Sequence, residues 1–186
     1  MLNTHSPVML NEVESYIPLN KKINVIDATF GGGGYSKKIL EKFKVNKLIA
    51  IDRDSIANIF AKELNKKYSN FTFLQGCFGN IDELIFDNFN KKIKFDAIIF
   101  DLGLSSNQLN TKERGFSFLN EGPLDMRMGQ NEINASEIVN NYTEEKIANI
   151  IYKYGEEKLS RRIAKNIIAA RKIKVIKNTK ELVDII

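Results

Sequence analysis

The sequence has 186 residues, enough for one full domain or for one domain with an appendage. Hydrophobic residues make up 43% and charged residues 27%, as in soluble globular proteins, and no apolar run approaches the roughly 20 residues that span a membrane. The 28 lysines and arginines exceed the 23 acids and give a net charge of +5, too small an excess to name a partner by itself.

The cysteine and histidine content narrows the possible sites and compartments. The one cysteine, Cys77, excludes an internal disulfide and is compatible with a reducing compartment. The one histidine, His5, excludes a histidine-rich metal site, so we expect no metal. The first ten residues contain no basic segment followed by an apolar core and therefore predict no secretory signal. We expect a cytoplasmic protein with no membrane partner.

Strand-like and helix-like segments alternate over the first half of the chain. This alternation predicts an α/β fold with a parallel, doubly wound sheet, whose ligand crevice lies at the carboxyl ends of the strands. The fourth strand is nearly all apolar, as expected of a strand covered on both faces. The chain begins with an extended lead-in from Thr4 and a short amphipathic helix before residue 19. The predicted strands are Ile23–Ala28, Leu48–Asp52, Phe71–Leu74 and Phe95–Asp101. The predicted helices between them are Gly34–Phe43, Ser55–Lys67 and Ile81–Phe86.

A glycine-rich turn, residues 31–34, joins the first strand to its helix. Glycine lets backbone N–H groups and the positive helix N-terminus approach a ligand, because it has no Cβ. Asp52 comes 21 positions after Gly31, the spacing at which an acid meets a ribose hydroxyl in a βαβ nucleotide site. Glycine clusters also form ordinary turns, and that alternative stays open.

The acid before the turn indicates the charge of the ligand. The carboxylate of Asp27 would repel a pyrophosphate but attract an ammonium or sulfonium group, which S-adenosylmethionine carries. The residue three positions after Gly33 is Ser36, so the dinucleotide fingerprint is broken. These features favour methyl transfer and leave a nicotinamide-dependent oxidoreductase as the weaker alternative.

Four residues that fall at or just after strand ends predict a single site. Phe78 could stack on an adenine or belong to the core, and Asp101 could contact a ligand or cap the next turn. The four residues are Asp27, Asp52, Phe78 and Asp101.

The second half of the chain reads as loops followed by helices, and we divide the sequence into residues 1–106 and 107–186. Leu102–Leu109 is a small, polar loop, and residues 113–128 form a structured loop without strand or helix periodicity. The predicted helices are Ala135–Asn140, Thr143–Tyr154 with Thr143 as N-cap, Gly155–Lys172 and Thr179–Ile186.

The third of these helices combines an apolar stripe with a basic face. The stripe is Leu159, Ile163 and Ile167. Cations without an acid among them repel one another unless phosphates neutralise them, which predicts an RNA partner; an ordinary solvated face is the alternative. The cations of this face are Lys158, Arg161, Arg162, Lys165 and Lys172.

Several segments together resemble one family in order and spacing. The family is the bacterial 16S ribosomal RNA (cytosine-N4)-methyltransferases, also called the RsmH or MraW family. The resemblance implies methyl transfer from S-adenosylmethionine to N4 of a cytidine in the decoding region of small-subunit ribosomal RNA. The segments are Asp27–Gly34, Ile51–Asp54, Asp101–Ser106, Arg114–Phe118, Gly122–Met128, Tyr154–Glu157 and Arg161–Ala164.

The resemblance also implies a fold and a set of site residues. The fold is a Rossmann-like class I S-adenosylmethionine-dependent methyltransferase sheet, here its first four parallel strands, with a mostly helical inserted domain for substrate recognition from about Asn107. Asp101 is the candidate catalytic acceptor, and Arg114 and Arg127 join Lys158, Arg161, Arg162 and Lys165 as candidate RNA contacts. Cofactor contacts are expected from Gly33, Gly34, Tyr35, Asp52, Phe78, Asp101 and Gln108, beside Asp27 and Gly31 of the turn.

The sequence departs from the family in two places. Tyr35 stands where members usually have histidine, although its backbone N–H can still face the cofactor. Members also continue past the equivalent of residue 186, so we expect the fourth strand at or near an open sheet edge, which favours aggregation. A fragment, an edge covered by a homodimer mate or a missing C-terminal segment, and a non-catalytic RNA-binding remnant all stay open.

Overall fold

The computed structural model describes residues 7–90, 92–129 and 133–186, so Thr4 to Ser6 of the predicted lead-in, with His5, lie outside the described residues. The chain divides into two compact units, Met1–Ser105 and Ser106–Ile186. No described helix has both the length and the hydropathy that a membrane span requires.

The first unit is a parallel sheet with helices on both faces. Its strand order is β3-β2-β1-β4, and every neighbouring pair is parallel, which confirms the predicted Rossmann-like sheet. The strands are β1 (Ile23–Asp27), β2 (Val45–Asp52), β3 (Phe71–Gln75) and β4 (Ala97–Ile99); the helices are α1 (Leu10–Tyr16), α2 (Gly34–Lys42), α3 (Ala57–Lys67) and α4 (Ile81–Phe89).

The two central strands are apolar along their length because both faces of the sheet are covered. Val25 of β1 and Leu48 of β2 belong to the hydrophobic cluster that includes residues of α2 and α3. The alternate residues Ile26 and Ile49 enter a second cluster with Ile85 of α4. The period of two along each strand therefore supplies two hydrophobic layers from one short run.

The prediction for the fourth strand is wrong in its length and its burial. β4 has three residues, and only its last, Ile99, is buried against β1. Ile98 and Phe100 are each half exposed and border a groove with Tyr16 of α1. β4 lies at the edge of the sheet, as expected, and the described residues place no strand on its outer side.

The second unit is mostly helical and has its own core. Its centre is formed by Leu124, Ile147, Ala164 and Ile167. The predicted loop Leu102–Leu109 is wrong in its second half, where α5 begins. The helices are α5 (Ser106–Asn110), α6 (Ala135–Asn141), α7 (Glu144–Gly155), α8 (Ser160–Ile173) and α9 (Thr179–Ile185).

Helix caps explain where the predicted boundaries hold and where they fail. Thr143 caps α7 by accepting a hydrogen bond from the Lys146 N–H at 3.3 Å, which confirms the predicted N-cap. Glu156 adopts a left-handed conformation (φ 53°) and ends α7, so α8 begins at Ser160 rather than at the predicted Gly155. Leu159 consequently lies outside the helix and is exposed, against the predicted apolar stripe.

Candidate functional site

The carboxyl edge of the sheet brings the predicted acids of the first unit together. Asp27, the last residue of β1, is in register with Ala50 of β2 and Ile99 of β4. Asp52 lies two residues beyond Ala50 at the end of β2, and Asp101 lies two residues beyond Ile99, just after β4. Because β2 and β4 flank β1, the two acids lie on either side of Asp27 at this edge of the sheet. We call Asp27, Asp52 and Asp101 the carboxylate rim.

Asp27 lies beneath the glycine turn and has no exposed surface. Its Oδ2 accepts a hydrogen bond from the Ser36 hydroxyl at 2.6 Å, and its Oδ1 accepts one from the Thr29 N–H at 3.4 Å. Burial raises the pKa of Asp27 to about 6, although these hydrogen bonds oppose the rise, and the Asp52 charge adds to it. The Asp27 carboxylate therefore holds the turn, and because it has no exposed surface it would act on any ligand through its charge alone.

Asp52 is half-buried at the end of β2 and fixes the same turn from the other side. Its Oδ2 accepts a hydrogen bond from the Gly31 N–H at 2.7 Å, and its Oδ1 accepts one from the Asp54 N–H at 2.9 Å. Burial raises the pKa of Asp52, and the charge of Asp54 adds to this effect. Because a carboxylate offers about four lone-pair sites, Asp52 keeps acceptor capacity for a ligand.

Two glycines of the turn are required by its geometry. Gly31 and Gly33 have φ values of 53° and 79°, which side chains other than glycine rarely adopt. A Cβ on Gly33 would also lie 2.8 Å from the Phe30 ring. Gly33, the N-cap of α2, supplies no side-chain cap, and of the first-turn N–H groups that of Ser36 bonds to Asp27, which leaves those of Gly34 and Tyr35 as candidates for a ligand at the rim.

Tyr35 is buried in the first turn of α2, and its side chain points away from bulk solvent. Its hydroxyl donates a hydrogen bond to the main-chain carbonyl oxygen of Val8. Burial raises the pKa of this phenol, and the charges of Asp101, Asp27 and Glu12 raise it further.

Phe78 and Asp101 are the exposed members of the predicted site. Phe78 opens a 3₁₀ turn after β3 and is 37% exposed, so the core alternative for its ring is wrong. Its ring meets that of Phe100 edge to face, with centroids 5.5 Å apart. Asp101 is exposed, and its N–H donates to the Thr29 hydroxyl at 2.7 Å. The Asp101 backbone is therefore fixed to the residue that also binds Asp27.

The remaining predicted cofactor residue and two predicted RNA contacts lie in the second unit. Gln108 is buried in α5. The Arg127 guanidinium donates to both carboxylate oxygens of Asp125 at 2.9 and 2.7 Å, and Arg114 donates to the Arg127 carbonyl at 2.6 Å. The hydrogen bond from Arg127 lowers the pKa of Asp125. Both arginines thus stabilise the loop that carries them.

The cations predicted for the basic face of α8 are all exposed. Several cations of the last thirty residues have internal partners: Arg171 donates to the Val139 carbonyl at 2.8 Å, and Lys174 pairs with Glu181 at 2.6 Å. The cations predicted for this face, Lys172 included, form no ion pair within the part of the chain that the structure describes. The four of them that are predicted RNA contacts, which we call the basic face, are Lys158, Arg161, Arg162 and Lys165.

Comparison with known proteins decides the family. The model of the MraW methylase family matches residues 3–186. The chain belongs to the MraW methylase family. Similar proteins are the ribosomal RNA small subunit methyltransferases H of Caldicellulosiruptor saccharolyticus (46% identity, covering 98% of this chain and 59% of the relative), Rickettsia bellii (44%, 100% and 59%) and Wolbachia sp. subsp. Drosophila simulans (48%, 98% and 62%).

The chain spans only part of these family members, 59–62% of the relatives' lengths. Among solved structures, a rRNA methylase from Streptococcus thermophilus is similar with a TM-score of 0.41 and 18% identity, over 65% of this chain and 71% of that chain.

Four contacts of the site were not identified in the sequence. The Ser36 hydroxyl and the Thr29 backbone and side chain connect the glycine turn to Asp27 and Asp101. A serine two residues into a helix after a glycine turn is a weak signal for such a role. The contact between Tyr35 and Val8 joins residues 27 positions apart, and no local pattern indicates it.

Proposed function

We propose that this chain carries the cofactor-binding and RNA-contacting parts of a cytoplasmic methyltransferase. Its methyl donor is S-adenosylmethionine, and its substrate is the N4 amine of a cytidine in the decoding region of 16S ribosomal RNA in the small subunit. The observation that carries the proposal is the carboxylate rim beside a glycine turn, in a chain of the MraW methylase family.

The residues at the rim fit such a cofactor. Beside the bonds that it accepts from the Gly31, Asp54 and Arg53 N–H groups, Asp52 keeps an acceptor site for a ribose hydroxyl. Phe78 is 37% exposed, so its ring can stack on adenine. The N–H groups of Gly34 and Tyr35 begin α2 and suit a carboxylate, whereas the Gly33 N–H donates to the Phe30 carbonyl at 2.7 Å, so we propose that Gly33 contributes through its lack of a side chain. Gln108 is a further proposed cofactor contact, which rests on the family resemblance alone. S-adenosylmethionine supplies a methyl group that is activated by positively charged sulfur, and the rim is negative.

Asp101 is the proposed acceptor for the substrate amine. The N4 lone pair of cytosine is delocalised into the ring, so the amine is a poor nucleophile and must be aligned. Asp101 is exposed while its backbone is held by Thr29, which lets its carboxylate accept an N–H of the amine in a defined position. Alignment of this kind contributes at most about 7–11 kcal/mol to lowering a barrier.

The basic face supplies the proposed RNA contacts. Its four exposed cations can bind phosphates of a strand from which the target base is extruded. Arg114 and Arg127 are proposed as weaker RNA contacts, because they already bond within their own loop.

Calorimetry with S-adenosylmethionine tests the cofactor assignment. We expect wild-type chain to bind it and Asp52→Asn to bind it at least about 10-fold more weakly, since hydrogen bonds to a charged acceptor contribute about 1.5–3 kcal/mol. Asp87→Asn, on the exposed face of α4, is the matched control and should bind like wild type. Binding of NAD in place of S-adenosylmethionine would overturn the assignment.

Methyl incorporation into small-subunit ribosomal RNA tests the reaction. Single-turnover rates should fall strongly in Asp101→Ala, and unchanged rates would remove Asp101 from the mechanism. The alternative is a non-catalytic RNA-binding protein, for which the basic face is the supporting observation. It requires RNA affinity that falls with salt, without methyl incorporation.

The exposed edge of β4 suggests a further partner. We propose that Ile98 and Phe100 are covered in the active assembly by a second copy of the chain or by a segment of the kind that relatives carry beyond the matched part. Sedimentation distinguishes the two: a concentration-dependent dimer supports the second copy, and a monomer that binds an added segment supports the other.

A further inference from the structure

The direction of the Tyr35 hydroxyl is fixed because its ring is part of the core. Tyr35 follows Gly34 in α2 and is only 7% exposed, in the same hydrophobic cluster as Ile17 and Ile39. A buried tyrosine hydroxyl requires a hydrogen-bond partner. Here the partner is the carbonyl oxygen of Val8, in the segment that leads into α1.

Two polar contacts hold α1 beside α2, one at each end. The Tyr35 hydroxyl binds Val8 before the first turn of α1, and Lys42 at the end of α2 donates to the buried Glu14 carboxylate of α1. α1 has seven residues, fewer than the roughly 12–15 that an isolated helix needs, and no side chain caps its N-terminus. Its position therefore depends on these contacts and on the packing of its apolar face.

The residue that holds Val8 belongs to the helix that begins at the carboxylate rim. Tyr35 directly follows Gly34, and the next residue, Ser36, donates to the Asp27 carboxylate at 2.6 Å. The charges of Asp101 and Asp27 raise the pKa of the Tyr35 phenol, in keeping with this position. The Val8 carbonyl is thereby tied to the first turn of the helix at the rim, although the Val8 and Met9 side chains are mostly exposed.

We infer that Tyr35 is a positioning residue that fastens the segment Pro7–Met9 to the carboxylate rim, so that this segment borders the bound methyl donor. The placement of the segment rests on the contact itself, and the role in cofactor binding rests on the proposed function. If the segment borders the ligand, ordering of the segment and binding of the ligand must favour each other by the same factor, because such coupling is reciprocal.

Hydrogen exchange on the full chain, with and without S-adenosylmethionine, tests both the placement of the segment by Tyr35 and its role in cofactor binding. Tyr35→Phe keeps the buried ring and removes the hydroxyl. We expect the Val13 amide, which donates to the Met9 carbonyl, to exchange about 2- to 10-fold faster, the range for one lost neutral hydrogen bond. We expect affinity for S-adenosylmethionine to fall by a similar factor, and the protection that the ligand gives Val13 in wild type to disappear.

Two controls separate this role from general loosening of the helix. Tyr16→Phe removes an 88% exposed hydroxyl from α1 and should change neither exchange nor affinity. Lys42→Met releases the other end of α1 and should speed exchange at the end of the helix, while leaving cofactor affinity unchanged.

The possible outcomes distinguish this inference from the proposed function. Unchanged exchange in Tyr35→Phe overturns the contact, and faster exchange with unchanged affinity overturns the role in binding. An equal loss of affinity in Lys42→Met also overturns that role, because the effect would then be general. Wild-type chain that binds no S-adenosylmethionine contradicts the proposed function, while the exchange measurement still decides whether Tyr35 holds the segment.

Discussion

The acids of the two units are stabilised in opposite ways. In the first unit, Asp27 and Asp52 accept hydrogen bonds from neutral N–H and O–H groups, and burial raises the pKa of each. In the second unit, Asp125 pairs with Arg127 and Glu181 with Lys174, and these bonds lower both pKa values. The chain's own cations satisfy the second pair of acids, whereas the first pair retains negative charge beside a glycine turn.

This difference separates structural charge from charge that is available to a ligand. A buried carboxylate without a cationic partner reduces stability at neutral pH, because desolvation disfavours its ionised form. A cationic ligand at the rim would relieve that cost. In an ion pair such as Asp125–Arg127 the negative charge is already neutralised by the chain's own cation. We therefore assign this pair a structural role in its loop.

The largest effect is expected where the backbone of the second unit's loop is most closely packed. A Cβ on Gly115 would lie 1.9 Å from the Pro123 carbonyl oxygen, and Gly115 has a φ of 69°. We expect Gly115→Ala to lower the free energy of unfolding by about 3 kcal/mol or more, measured by urea denaturation. Gly155→Ala, whose Cβ would meet nothing within 4 Å, is the control and should change little. Equal stabilities would contradict the close packing of this loop.

Asp27 should show the next largest effect, through the pH dependence of stability. Its folded-state pKa is raised from 3.8 to about 6, so the folded protein binds the proton more tightly than the unfolded chain. Its contribution is therefore fully present below pH 3.8 and is lost as the pH rises through about 6, a change of about 3 kcal/mol. Asp27→Asn should remove this loss and be more stable than wild type at pH 7.5, while binding S-adenosylmethionine more weakly.

Urea denaturation from pH 4 to 7.5 measures the Asp27 effect. The difference between wild type and Asp27→Asn should grow with pH, whereas Asp87→Asn on exposed α4 should track wild type throughout. A difference that is independent of pH would show that folding does not shift the Asp27 pKa, and would remove the contrast between the two units.

Asp125 should show the opposite pH dependence with a smaller size. Because the bond to Arg127 lowers its pKa, Asp125 contributes stability above its unfolded pKa of 3.8, and this is lost as the pH falls through the folded value. The pair is partly exposed, so solvent screening makes its effect a fraction of that of Asp27. Asp125→Asn should destabilise at pH 7 and become neutral near pH 2, and a double-mutant cycle with Arg127→Gln isolates the pair.

Topology explains why the first unit could be predicted from the sequence better than the second. Parallel strands end at one edge, so Asp27 and Asp52 meet wherever the alternating pattern holds, and the φ values of Gly31 and Gly33 follow from the turn. In the second unit, the left-handed Glu156 shifts the start of α8 and exposes Leu159. Hydrophobic periodicity gives no signal for the backbone conformation of a single residue at a helix end.

Side-chain pairing between elements was also beyond the sequence. Arg171 bonds to the Val139 carbonyl, 32 positions away, and Lys174 to Glu181 across the turn before α9. In the sequence alone, Arg171 and Lys174 therefore look like unpaired cations. Phe78 likewise reads as core by residue type, but its place in a 3₁₀ turn leaves it partly exposed.

The basic face gives the smallest effect on stability and the sharpest contrast with paired charge. Arg161→Gln with Lys165→Gln should leave urea denaturation unchanged, because both side chains are exposed and form no ion pair within the described ranges. If they bind phosphates, affinity for single-stranded RNA should fall, and the slope of log K against log salt should flatten by about 0.7 for each lost contact.

A paired cation supplies the control for the basic face. Lys180 pairs with Asp184 at 3.3 Å, and Lys180→Gln also removes one positive charge from the second unit. If net charge alone attracts RNA, both variants lower affinity in proportion to the charge removed. If the basic face binds phosphates directly, only the double variant changes the salt slope, because counterion release requires a cation at the phosphate rather than elsewhere on the unit.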